Sequence, residues 1–300
     1  MTTPPKHLPP GKFKPYGALP LPKLTPPLLA LVKTGTVYSL AVTHYEAMPV
    51  PPPMVPYTLT PRLRHGDLKD IRPASAAAEA VTMAAHTATH IDALCHVGEH
   101  RNAKGEPDAN GDVHLYAGKG KTVLAKDNVT FQGQQHLSIA EMPPIVLRGV
   151  LLDVAGLKGV DVLPDSYPIT KKDVQDTLKA QGTVITPGTA VCIRTGFYKH
   201  LAEGNLAYRD RIAGLALDGA KFLHKRGMVL AAADNMSVEV QPPIDHAVHR
   251  YLLVHNGVTH LENLYVDELA KNKVYEFLLI VTPLRLIGAT GSWVHPIAIT

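Results

Sequence analysis

Cysteine is nearly absent: Cys95 and Cys192 are the whole supply in 300 residues. Neither sits in a CxxC pair, which excludes a disulfide framework and a cysteine-rich zinc site. The same scarcity points to a reducing compartment, and a cytoplasmic location is the expectation. Long hydrophobic runs are missing too; none approaches the ~20 residues of a membrane span. The opening MTTPPKHLPPGKFKPYGALPLPKL is broken by prolines and lacks the continuous apolar core of a signal peptide. The net charge of +4 is spread along the chain with no basic block to track phosphates, so neither nucleic acid nor a membrane is an expected partner. A GxSxG nucleophile elbow is absent.

What is present is core and histidine. A 45% hydrophobic and 19% charged composition describes a globular protein with ample interior. Sixteen histidines exceed what packing requires, and histidine is the commonest metal ligand. Residues 1–27 are rich in proline and lysine and predict an extended arm over the body or a partner subunit, with a disordered tail as the alternative. No linker or composition break divides residues 28–300, which predict one domain.

Within that domain TVYSLAV, from Thr36, predicts a strand, and the proline-dense stretch Pro49–Pro61 a loop forming a lid or pocket wall. Ala78–Ala85 reads as strand, and Arg101–Gly120 as a glycine-rich loop. Ile145–Val154 (IVLRGVLLDV), TAVCIRTG and MVLAAAD read as buried strands. Thr170 and Asp173 resemble a capping box that starts a helix with Val174 and Leu178 on one face, ended by Gly182. Leu217–Arg226 predicts a second helix, and Ile244, Val248 and Leu252 the stripe of a third that Gly257 ends. VYEFLLIV and SWVHPIAI are late strands. Strands alternating with helices predict an α/β fold with a mixed central sheet flanked by helices.

The chemistry concentrates in HTATHIDALCH, His86 to His96. Read as one extended strand with a side-chain period of two, it turns His86, His90, Asp92 and His96 to one side. Three imidazoles and a carboxylate among apolar neighbours suit a zinc- or manganese-like ion. Thr87 occupies the place where a zincin helix has its general-base Glu, so that pattern fails. Buried histidines bonded to backbone are the plainer alternative for any one of them. Further on, Glu262 lies in the mostly apolar VTHLENL, where an unpaired carboxylate would be costly, and His260 shares its parity. His246 and His249 compete for one core-facing position on the third helix. Asp234 and Ser237 follow the MVLAAA strand, as orienting groups or as a turn cap. Cys95 falls out of phase with the ligand face and reads as a packed thiol.

HTATHIDALCH resembles the H-x-G-T-H-x-D-x-P-x-H signature of the cyclase family of metal-dependent hydrolases, which includes bacterial kynurenine formamidase, isatin hydrolase and a trans-dienelactone hydrolase. Ala88 replaces its glycine and Leu94 its proline. RTGFY (Arg194–Tyr198), Ala213–Glu239 and HRYLLVHNGVTHLENL (His249–Leu264) are similar to further segments of that family. The resemblance implies a swivelling β/β/α-like fold, and one or two divalent ions, Zn or Mn. His86, His90 and Asp92 would hold the first ion; Asp92, His249 and Glu262 would serve a second. His96 would be the general acid–base, and Thr89, Asp234 and Ser237 would stand behind the ligands; His260, by its parity with Glu262, is either a ligand or a group behind one. The implied activity is hydrolysis of a small carbonyl compound (a cyclic amide or imide, a lactone or an aryl formamide) by hydroxide generated at the metal. A homodimer or homotetramer is implied as well. Tyr45, Tyr57 and Tyr116, with Met48 and Met54, are the expected substrate-binding wall. The competing class is a non-catalytic protein that a metal staples, or a binder of a small carbonyl ligand.

Overall fold

The apolar runs assemble into one nine-stranded mixed sheet in a computed structural model that describes residues 13–52, 54–243 and 245–300. In chain order the strands are β1 (Val37–Ser39), β2 (His90–Asp92), β3 (Ile145–Asp153), β4 (Thr189–Arg194), β5 (Met228–Ala233), β6 (Thr259–Glu262), β7 (Glu276–Val281), β8 (Gly291–Trp293) and β9 (Ile297–Ile299). They lie side by side as β1-β9-β7-β3-β4-β5-β6-β2-β8. β3 to β6 run parallel. β2 is antiparallel to both β6 and β8, and the opposite margin from β7 outward is antiparallel as well.

Period-two alternation gives the sheet two buried faces. Leu147, Leu151, Ala190, Cys192 and Leu261 enter one core, and Val150, Leu152, Val191, Ile193 and Ala231 the other. Helices cover the second face: α1 (Lys171–Gln181), α2 (Leu217–Lys225), and α3 (Ala247–His249), which passes into a π-helical stretch over Arg250–His255. Thr170 and Asp173 form the reciprocal capping box of α1, and Gly182, at φ +64°, ends it in the left-handed conformation that glycine adopts without a Cβ penalty. The first face is covered by Ile139, Met142, Leu115 and Tyr116, and by Tyr16 and Leu19 of the N-terminal segment. The result is a single-domain α/β fold with β, β and α layers. No helix among the described residues is long and apolar enough to cross a membrane.

Several expectations need correction. Arg101–Gly120 is loop only in part: Glu99–Arg101, Asp112–Tyr116 and Thr122–Leu124 form a separate three-stranded sheet around its turns. The Pro49–Pro61 stretch is loop only in part. Thr58–Leu63 pairs with Ala78–Thr82 in an exposed ribbon, where Pro61 is tolerated beside a register shift. Ala78–Thr82 therefore leaves the body instead of running into the histidine motif. SWVHPIAI is two strands, β8 and β9. Ile244 and residues 1–12 of the expected arm lie outside the described residues; of the rest, Tyr16, whose hydroxyl donates to the Leu137 carbonyl at 2.6 Å, and Leu19 anchor in the core, while Leu21 and Leu24 are exposed.

Candidate metal centre

The pairing of β2 with β6 builds the floor of the site. Leu261 opposes Ile91 and Glu262 opposes His90. Ile91 and Leu261 point into the first core, so alternation turns His90, Asp92, His260 and Glu262 to the helix side. His249, at the junction of α3 and its π-helical continuation, reaches down onto them; π-helical turns are frequent at functional sites.

The histidine motif is not one strand. Only His90–Asp92 is extended, while His86 and His96 arrive on turns. Ala88 sits at φ +55°, the left-handed region that resists a Cβ and that the glycine of the resembling signature enters freely. That reversal breaks the parity argument. His86 nevertheless meets Asp92, with Nδ1 2.9 Å from Oδ1. The ring of His96 stacks on that of His86 at 3.8 Å between centroids.

The remaining distances define a compact nest. His90 Nε2 lies 3.3 Å from Glu262 Oε2 and 3.6 Å from Asp92 Oδ1. His249 Nε2 lies 3.6 Å from Glu262 Oε1, and His260 Nδ1 3.9 Å from the same oxygen. The ligand orientations are fixed from behind. His90 Nδ1 donates to the Ala88 carbonyl at 2.8 Å, so its Nε2 faces the carboxylates. His249 Nδ1 donates to Glu239 Oε1 at 2.7 Å with the same effect.

Four buried polar atoms of this nest have no hydrogen-bond partner: Asp92 Oδ2, Glu262 Oε1, and both ring nitrogens of His260. Buried polar groups left unmet are rare and costly, and these are metal donors converging on one volume. Two carboxylates among imidazoles fit a divalent cation of the zinc or manganese type. Asp92, His249, His260 and Glu262 can each offer an atom within 4.8 Å of the others, as can His86, Asp92 and His96.

The electrostatics match. Burial opposes ionisation of Asp92, yet His96, His86 and His90 hold its carboxyl well below the ordinary range. Glu262 is held low against burial and against Asp92 by His249 and His90. Burial opposes a charged His249, yet Glu239 and Glu262 raise it to about 10. Burial pushes His96 down to about 4 and His260 to about 3, keeping both neutral.

A cavity of about 380 Å³ opens above the nest, bordered by His86, His90, His96, His249 and Glu262. Pro51, Pro52, Met54 and Met236 supply its apolar wall, and Arg209, Ser237 and Gln241 its polar one. His249 is buried, whereas His246 is half-exposed at the rim and shares Glu239 Oε1 at 3.1 Å. The three tyrosines expected as substrate wall lie elsewhere. Tyr45 and Tyr57 pack around Val42, Met48 and Leu201, the Tyr45 hydroxyl donating to the Leu201 carbonyl at 2.6 Å. Tyr116 is buried in the first core, its ring closed over Gly257. The Arg101–Tyr116 loop, expected from the sequence as a further pocket wall, lines a different cleft because it belongs to the separate sheet.

Thr89 and Asp234 act on backbone. The Thr89 hydroxyl donates to the Asn263 carbonyl and accepts from Val42 N–H, tying β2 to the end of β6. Asp234 accepts from Thr195 N–H, Thr195 Oγ1 and Gly196 N–H, and burial raises its pKa to about 6. Ser237 donates to the Glu239 carbonyl at 2.7 Å. Cys95 is buried, its thiol pushed up to about 12, chiefly by desolvation. Sequence reasoning missed Glu239, whose signal was a buried-looking acid at the end of the AAADNMSVE run. It also missed Thr290, whose hydroxyl lies 2.9 Å from His86 Nε2, and Gly291 beneath the His86 ring.

Fold and donor set together define an α/β protein with a pocket able to hold a divalent cation. The chain belongs to the cyclase family: the family model described as "Putative cyclase" matches residues 38–240. Kynurenine formamidase of Bacillus cytotoxicus is 26% identical over 217 residues, covering 72% of this chain and 77% of that protein. A solved structure described as a novel cyclase superposes with a TM-score of 0.75 at 28% identity, covering 92% of this chain and 94% of the other. Isatin hydrolase A from Labrenzia aggregata, bound to benzyl benzoate, shares the fold with a TM-score of 0.62 at 18% identity, over 88% and 93% of the two chains.

Proposed function

We propose that this protein is a metal-dependent hydrolase that opens or cleaves a small carbonyl substrate, a cyclic amide or imide, a lactone or an aryl formamide. The observation that carries the reading is the cluster of unpartnered buried Asp92, Glu262 and His260 atoms at the floor of a cavity. A formamidase and an isatin hydrolase among the similar proteins support hydrolysis as the reaction class. His86, His90 and Asp92 would hold one zinc or manganese ion, and His249 and Glu262 a second, with Asp92 between them. Such an ion supplies Lewis acidity, which acidifies water and polarises a carbonyl.

The chain's own groups supply the rest. His96 borders the cavity and is neutral at physiological pH, because burial holds it at about 4. Its free imidazole nitrogen can take a proton as the attack proceeds and return it to the leaving nitrogen or oxygen. Pro51, Pro52, Met54 and Met236 exclude water from one side and accept a flat apolar body. Glu239 holds the proton on His249 Nδ1 and keeps Nε2 turned inward.

The test is elemental analysis of protein purified without chelator or nickel, followed by a screen of amides, imides and lactones. Asp92→Asn is expected to lose metal and turnover together. Wild-type protein that takes up no divalent ion, and gains no activity when one is added, would overturn the reading.

A further inference from the structure

We propose that His260 is itself a metal ligand, and that with His249, Glu262 and Asp92 it closes an ion site beneath the cavity floor. The inference rests on the metal-hydrolase reading above and divides its centre into a closed site and an open one.

His260 differs from the three imidazoles held from behind, and from His96 in being wholly buried. His90, His249 and His86 each have Nδ1 engaged, by Ala88, Glu239 and Asp92 respectively. The His260 side chain is 0% exposed and neither nitrogen has a partner. A neutral imidazole carries one N–H and one lone pair, so both a donor and an acceptor are unmet in a dry place. The groups facing it are in the same condition. Glu262 Oε1, 3.9 Å from His260 Nδ1, is unpartnered, and so is Asp92 Oδ2. At 3.9 Å the imidazole and carboxylate are too far apart to satisfy each other. The His249 ring stands edge-on 4.3 Å away. One cation between the four groups would meet Asp92 Oδ2, Glu262 Oε1 and one nitrogen of His260 together, the other nitrogen keeping the ring proton.

The cavity reaches only part of the nest. His86, His90, His96, His249 and Glu262 border it, whereas His260 and Asp92 lie behind them. An ion with four protein donors has no open position at tetrahedral coordination, the condition of a structural site. An ion at His86 and His90, sharing Asp92, faces the cavity and retains positions for water and substrate. The buried ion would then fix Asp92 and Glu262 in place and set the charge beside the reacting one.

The experiment is zinc and cobalt titration of the full-length chain, wild type against His260→Leu and His260→Gln, read by elemental analysis and by the visible spectrum of the cobalt form. Wild type is expected to retain about two ions per chain and each variant about one, with the cobalt bands of the lost equivalent missing. Glutamine keeps polarity and approximate size, so it covers the case in which leucine fails to fold. Variants that fold and bind the same number of ions with the same affinity and cobalt spectrum as wild type would overturn the proposal; a water bridging His260 to Glu262 would give that result. Wild type that binds no metal sinks the hydrolase reading first, so the two failures are distinguishable.

Discussion

Glu239 Oε1 sits 2.7 Å from His249 Nδ1, and its other oxygen accepts from Val248 N–H at 2.7 Å. The carboxylate is therefore held by backbone on one side and holds an imidazole on the other. Glu239→Gln keeps the shape but can present an amide N–H where His249 needs an acceptor. We expect metal affinity to fall roughly 10- to 100-fold, the usual loss when a partner behind a ligand is removed. Saturating metal should restore most activity. Competition with a chromogenic chelator measures the first effect. Unchanged affinity would mean that His249 needs no such support.

Gly291 on β8 pairs with Asp92, and a Cβ placed there would meet His86 Cε1 at 2.6 Å. Gly291→Ala must push the His86 ring out of line. Because the obstacle is a side chain and not backbone, stability should fall by no more than about 1–3 kcal/mol. Metal affinity and turnover should fall together by a larger factor. A denaturation curve paired with a zinc titration separates the two; a variant with wild-type affinity would show that His86 is not positioned by this contact.

Much of the fold was readable because it obeys local periodicity. Ile145–Asp153, Thr189–Arg194 and Met228–Ala233 are strands where continuous apolar runs demanded them, and α1 begins and ends at its capping residues. The histidine run was harder. Its residues converge on one site, but through a left-handed Ala88 and two turns that no alternation rule contains. The exposed Thr58–Leu63 ribbon has a proline inside it, and the π-helical turn after His249 shifts the period that placed Val248 and Leu252. The tyrosines failed for a different reason. Proximity in sequence to a proline-rich wall says nothing of facing, and among the described residues of that wall Pro51, Pro52 and Met54 border the cavity. Glu239 owes its role to a meeting with α3 that only the folded chain arranges.

His96 lies against His86 and beside the cavity, yet no hydrogen bond commits its ring. His96→Ala should retain its metal and lose on the order of 10² to 10⁴ in turnover, the usual size of a general acid–base contribution. Metal content and kcat, measured on the same preparation, decide the matter. A His96→Ala protein stripped of metal would move His96 into the ligand set with His86 and Asp92.

His249 gives the metal-free protein a signed pH dependence. Its pKa rises from 6.5 to about 10 in the fold, through Glu239 and Glu262 and against burial. A group whose folded pKa is raised contributes stability that is fully present below the unfolded value and is lost as pH climbs through the folded one. The chelated wild type should therefore be more stable than chelated His249→Gln near pH 6.5, and that advantage should shrink steadily toward pH 10. His96 and His260, held at about 4 and about 3, work in the other direction: their contribution is present above 6.5 and lost as pH falls toward those values. Both groups stay neutral between pH 6.5 and 10, so over that window the difference between the two proteins reports His249 and the carboxylates that hold it. In zinc-loaded protein His249 must be neutral to bind, so the alkaline loss should vanish and metal affinity should itself rise over the same window. Urea midpoints of the two chelated proteins at several pH values test the sign, and a difference that grows toward alkaline pH would refute it.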